Sequence, residues 1–123
     1  MKKITFTIDG PLMGYRQTTK KSIFHPAERA RSQAYGAWKE RVRLTAYAAG
    51  LPDLGMALKE KPPRLSVHVF WKGAVLRDFK NVLGGIEDAL WYLPQGDKYV
   101  KPGKYSDVTW DSGVEKAIVT VEL

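Results

Sequence analysis

From Lys2 to Asp9 polar and apolar residues alternate, with Ile4, Phe6 and Ile8 on one side, which is the period of a half-buried strand. Gly10-Pro11 ends it. Pro26 suits the first turn of a helix, and the spacing predicts one running to about Ala49, stopped by Gly50 with Pro52 beyond. Its expected inner stripe is Ala27, Ala30, Ala34, Ala37, Trp38, Val42 and Thr45. Leu65 to Trp71 alternates again, but both sets are partly apolar, so this strand is expected to be central and covered on both faces. A second helix is expected from about Asp78 to Leu90. Phe79, Val82, Leu83, Ile86, Ala89 and Leu90 fall on one arc of it, at about 100° per residue. Asp78, Asn81, Gly85 and Asp88 fall on the other, with Lys80, Gly84 and Glu87 beside them. Tyr105–Trp110 and Glu115–Glu122 read as a hairpin across Asp111-Ser112-Gly113. The order strand, helix, strand, helix, strand, strand predicts a single α/β (α+β) domain over residues 1–123. It would have a mixed sheet of about four strands with both helices on one face.

Charge adds a second pattern. Residues 1–61 hold 12 Lys and Arg against 5 Asp and Glu, and residues 62–123 hold 8 against 8. The whole excess of +7 therefore lies in the first half. A polyanionic partner accounts for that, because each neutralised phosphate releases counterions. Residues 12–25 are rich in donors, among them Tyr15, Arg16, Gln17, Thr18, Lys20 and Lys21. They read either as a solvated loop or as an arm that grips phosphates. Arg29, Arg31, Lys39, Arg41 and Arg43 on the first helix read as a solvated face or as a rail along a nucleic-acid backbone. No apolar run approaches the roughly 18 residues of a membrane span, and MKKITFTIDG lacks a signal-peptide core. With no cysteine, disulfides and thiolate chemistry are excluded, and a reducing, cytoplasmic setting is expected. His25 and His68 make a poor case for zinc; His25 is expected at a helix start and His68 in the core with a satisfied hydrogen bond. No phosphate-binding glycine loop or nucleophile elbow is present. Trp91, Tyr92 and Tyr99 either close the core or stack on unpaired bases.

Four acids (Asp78, Glu87, Asp88 and Asp97) crowd into residues 77–97. Asp78 heads the second helix, where the helix dipole favours an ionised carboxylate. Asp88 lies about 15 Å further along the axis, too far to share one ion with Asp78. Asp97 follows a loop long enough to double back. An Asp78–Asp97 pair with Asn81 nearby offers the sparse oxygen ligands that Mg²⁺ accepts while keeping its waters. Spacing alone favours the plainer pair, a helix N-cap at Asp78 and a turn aspartate at Asp97. The Gly84-Gly85 pair disfavours the helix by about 1 kcal/mol per glycine, which points to close approach of another backbone or of a bulky ligand.

Arg77-Asp78-Phe79-Lys80-Asn81, then Asp88-Ala89-Leu90, then Asp97-Lys98-Tyr99-Val100 resemble the RusA-like Holliday-junction endonucleases of bacteria and phages. Their signature is a strand leading into D-x-D-N-x-x-K, then D-A-L, then an acidic turn of the D-D-x-x-V type. The opening strand, Gly10-Pro11, the basic loop and the Phe24-His25-Pro26 helix start are also similar to that family. The resemblance implies a homodimer that binds four-way DNA junctions and, with Mg²⁺, nicks two strands. Asp78, Asp97 and Asp88 would be the matching acids and Asn81 the matching amide. Arg16, Lys20, Lys21, Arg29, Arg31, Arg77, Lys98 and Lys101 would meet DNA. Two positions depart: the family's second aspartate is Lys80 here, and its lysine is Gly84. Glu87 is then the candidate replacement metal ligand and Lys80 the candidate replacement cation. The rival expectations are a catalytically diverged protein that binds branched DNA without cutting it, and an unrelated small α/β protein.

Overall fold

The structure is a computed structural model, and it describes residues 2–14, 25–52, 54–55, 57, 59–73, 79–93, 96–103 and 106–123. It is a mixed α+β fold of two helices and a five-stranded sheet. In chain order the elements are β1 (Lys3–Asp9), α1 (Pro26–Ala48), β2 (Arg64–Lys72), α2 (Phe79–Leu90), β3 (Lys101–Pro102), β4 (Asp107–Ser112) and β5 (Lys116–Glu122).

β5 sits between β1 and β2 and runs antiparallel to both. β3 and the longer β4 follow one another along the far edge of β2, both parallel to it. The register lines up apolar rows across three strands: Ile4–Val121–Leu65, Phe6–Val119–Val67 and Ile8–Ala117–Val69. All nine are buried, and Tyr35, Trp38, Val42 and Ala46 of α1 with Val82, Ile86, Ala89 and Leu90 of α2 belong to the same core. One apolar sheet face, covered by both helices, is the arrangement the alternating strands require.

Four expectations are corrected. β4 and β5 do not form a hairpin; the chain crosses the end of β2, so that they flank it on opposite sides. β5 carries its apolar residues at alternate positions and gains two ladders instead of one by lying between β1 and β2. Second, β2 is central but has one fully covered face, with His68 and Phe70 half-buried on the other. His68 does have its hydrogen bond, 2.6 Å from Nε2 to Thr109 Oγ1, and stacks on Phe70 at 4.2 Å, but on the outer face of the sheet. Third, α1 buries Tyr35, Trp38, Val42 and Ala46, while Ala27, Ala30, Ala34 and Ala37 are exposed. The large rings choose the buried side, because an alanine offers too little area to orient a helix. Fourth, Gly85 is buried on α2, on the flank that meets α1.

Candidate active site

α2 begins beside the exit of β1. A Cβ on Gly14 would lie 2.8 Å from Asn81 Nδ2, so the chain passes close beside that exposed amide. Residues 15–24, with Arg16, Lys20 and Lys21, and residues 74–78, with Arg77 and Asp78, lie outside the described residues. The Asp78–Asp97 pairing and the phosphate grip of the basic loop therefore rest on sequence alone.

The far end of α2 is better defined. Residues 91–93 and 96–97 are tied to Gly55 and Ala57 through a set of backbone hydrogen bonds. Gly55 donates to Leu90 O at 2.8 Å, Leu93 to Gly55 O at 3.1 Å, Ala57 to Gly96 O at 2.8 Å and Gly96 to Leu93 O at 2.7 Å. A Cβ at Gly96 would overlap the carbonyl oxygens of Gly55 and Trp91 and lie 2.9 Å from that of Leu93. The reversal thus demands glycine there. It leaves Asp97 exposed on a turn closed by Val100 N–H to Asp97 O at 3.1 Å.

From that turn the charge of Asp97 acts on Glu87. Glu87 is half-buried, and its carboxyl is held above the ordinary range, first by burial and then by the negative charge of Asp97. A negative charge that opposes the ionisation of a neighbouring carboxyl also favours a cation beside it. Sequence reasoning paired Asp97 with Asp78 and kept Glu87 as a replacement; among the described residues the charge of Asp97 acts on Glu87.

Asp88 points elsewhere. Its Oδ2 accepts from the buried Tyr35 hydroxyl at 2.9 Å and from Lys39 Nζ at 3.0 Å, and Lys39 lies 4.7 Å from the Tyr35 ring centroid. Gly85, three residues earlier and so on the same flank, is buried. The glycine thus admits α1 and the aspartate fastens it. Tyr35 is not among the sequence candidates, and Lys39 reads there only as part of a solvated face or nucleic-acid rail, whereas it pairs with Asp88. Their i, i+4 spacing on α1 was the available signal, hidden because Lys39 reads as one more surface cation.

The remaining candidates are exposed. Lys80 and Asn81 stand at the start of α2, Arg29 and Arg31 on the first turns of α1, and Arg31 is paired with Glu28 at 2.8 Å. Lys98 lies 5.6 Å from the Tyr99 ring centroid beside the Asp97 turn, and Lys101 is on β3. His25 is the N-cap of α1. Trp91 closes the core, Tyr99 packs partly against it, and Tyr92 is exposed.

Among the described residues no group of three or more His, Cys, Asp or Glu could hold a metal ion, and no helix is long and apolar enough to cross a membrane. The oxygen-only pair of Glu87 and Asp97 nevertheless suits a hard cation that keeps several waters. No protein-family model matches the chain, and no curated protein is detectably similar to it.

Proposed function

We propose that this protein is a RusA-like, Mg²⁺-dependent endonuclease that resolves Holliday junctions by phosphodiester hydrolysis, acting as a cytoplasmic homodimer. The observation that carries the reading is the action of Asp97 on the half-buried Glu87, whose ionisation it opposes. It occurs in a chain where the acidic motifs stand in the family's order. Asp97 would hold Mg²⁺ either with Glu87 or with Asp78 and Asn81, which lie too far from Glu87 along α2, at about 1.5 Å per residue, to share one ion with it. When bound, the ion polarises a phosphodiester and lowers the pKa of a bound water. Lys98 and Lys101, adjoining the turn, draw phosphates toward the acids, and the +7 net charge steers the chain onto DNA.

The test is nicking of a labelled four-way junction by purified protein with Mg²⁺. Activity that Asp78→Asn and Asp97→Asn each abolish is the expected result; activity untouched by either substitution overturns the assignment. Lys80 and Gly84, where the family has an acid and a cation, and the engagement of Asp88 by Tyr35 and Lys39 favour a second reading. In it the protein binds branched DNA without cutting it, so junction binding would be salt-sensitive and cleavage absent with every divalent metal.

A further inference from the structure

Both helices cover the inner face of the sheet, and among the described residues no helix lies on the outer one. Alternate residues of a strand share a face, so the outer side of β2 carries Arg64, His68, Phe70 and Lys72. The rings of His68 and Phe70 stack 4.2 Å apart and 13° from parallel. Thr109 Oγ1, 2.6 Å from His68 Nε2, holds that pair in place from β4. Lys116, opposite Phe70 on β5, sets its Nζ 5.0 Å from the Phe70 ring centroid. Both rings are only half-buried. A prearranged aromatic pair in the middle of an open sheet, with an ammonium beside it, is the arrangement on which sheet proteins stack unpaired bases.

The surroundings select that occupant. The exposed Thr5 and Thr7 of β1 and the half-buried Thr120 of β5 put hydroxyls on this face, where the core of a protein interface would be apolar. Cations stand at both ends of β2. Arg64 has Lys101 beside it across the ladder at one end, and Lys72 has Lys116 near it at the other. Arg64 and Lys72 are eight positions apart, about 26 Å of strand. Among the described residues none of these four cations is in an ion pair. Glu122, the acid beside Arg64, is already held by Lys3 at 3.8 Å. Asp9 and Asp107 are the other acids on this face, so unpaired cations lead acids by four to two. Phosphates at the two ends and a base between them complement that pattern.

We infer that the outer sheet face binds an unpaired nucleic-acid strand laid along β2, with its phosphates at Arg64, Lys101, Lys72 and Lys116 and a base stacked on the His68–Phe70 pair. The inference goes beyond junction cleavage. It uses none of the acids on and after α2, so it stands or falls apart from the nuclease.

A short oligothymidylate carrying one fluorescent 2-aminopurine reads it, in EDTA so that nothing is cut. Stacking quenches that base, whereas electrostatic attachment alone does not. The wild type is expected to bind the strand at micromolar concentration with quenching, and to prefer it to a blunt duplex of the same length. Phe70→Leu keeps an apolar side chain but removes the ring. It is expected to lose the quenching and to bind roughly 5- to 150-fold more weakly, the range that one base stack is worth. Lys72→Ala and Lys116→Ala, with circular dichroism spectra like that of the wild type, are each expected to lower the dependence of log affinity on log salt by about 0.7. Those two variants keep the test decisive if Phe70→Leu fails to fold. No binding by the wild type, quenching that survives Phe70→Leu, duplex bound as tightly as the single strand, or unchanged salt dependence in both lysine variants would each overturn the inference. None of those outcomes touches the nicking assay.

Discussion

At the scale of single residues, Glu87 is the informative side chain. Burial and Asp97 both raise its pKa, so the folded state favours the protonated form. Stability from this group is fully present below the ordinary carboxylate range and is lost as pH rises through the raised value. Glu87→Gln is therefore expected to remove part of the decline in melting temperature between about pH 4 and about pH 7, so that the variant gains on the wild type as pH rises. Two parallel curves would contradict the burial and pairing of Glu87. A bound cation reverses the sign. Mg²⁺ should raise the melting temperature near neutrality by the mass-action term for a ligand that binds only the folded state, and Asp97→Asn should reduce that increment. Tyr35 tests the other acid. Tyr35→Phe deletes a hydrogen bond to a charged, half-buried acceptor and is expected to destabilise by about 1.5–3 kcal/mol, measured by urea denaturation, with little effect on DNA binding.

The elements show where sequence pattern speaks and where it stops. β1, β2 and β5 were legible because every second residue is apolar, and the same residues form the three cross-strand rows of the core. Both helices were placed to within a residue or so at each end, since Pro26, Gly50 and the apolar arc of α2 are strong local signals. The partner of β5 was not legible. A short turn between two strands favours a hairpin by local rules, and only the completed sheet shows that β5 does better between β1 and β2. The buried face of α1 was misread because alanines are frequent there and carry little information about side. The Asp97 turn belongs to this scale too. Gly96 leaves no room for a side chain against three carbonyl groups, so Gly96→Ala is expected to destabilise the fold and to lower Mg²⁺ affinity together. Calorimetry in the presence and absence of the ion checks both; a variant that loses stability but binds Mg²⁺ as before would separate the turn from the site.

For the whole molecule, the asymmetry between a basic first half and a neutral, acid-bearing second half is the feature to explain. It was legible in the sequence, and so was the crowding of acids on and after α2. The effect of Asp97 on Glu87 was not, because the two lie ten residues apart across the end of α2. If the cations meet phosphates, the logarithm of junction affinity falls linearly with the logarithm of salt concentration. Replacing Lys98 or Lys101 by Ala should each reduce that slope by about one; an unchanged slope would remove those lysines from the interface. The most direct test of the account is single-turnover nicking of a four-way junction, set against linear duplex of the same sequence, in Mg²⁺. The wild type should nick the junction and spare the duplex. Asp97→Asn and Glu87→Gln should each slow nicking by more than the roughly 10–100-fold that loss of a ligand's supporting partner costs a metal site. Intact junction DNA with Mg²⁺ and with Mn²⁺, or nicking at the wild-type rate by both variants, would contradict it.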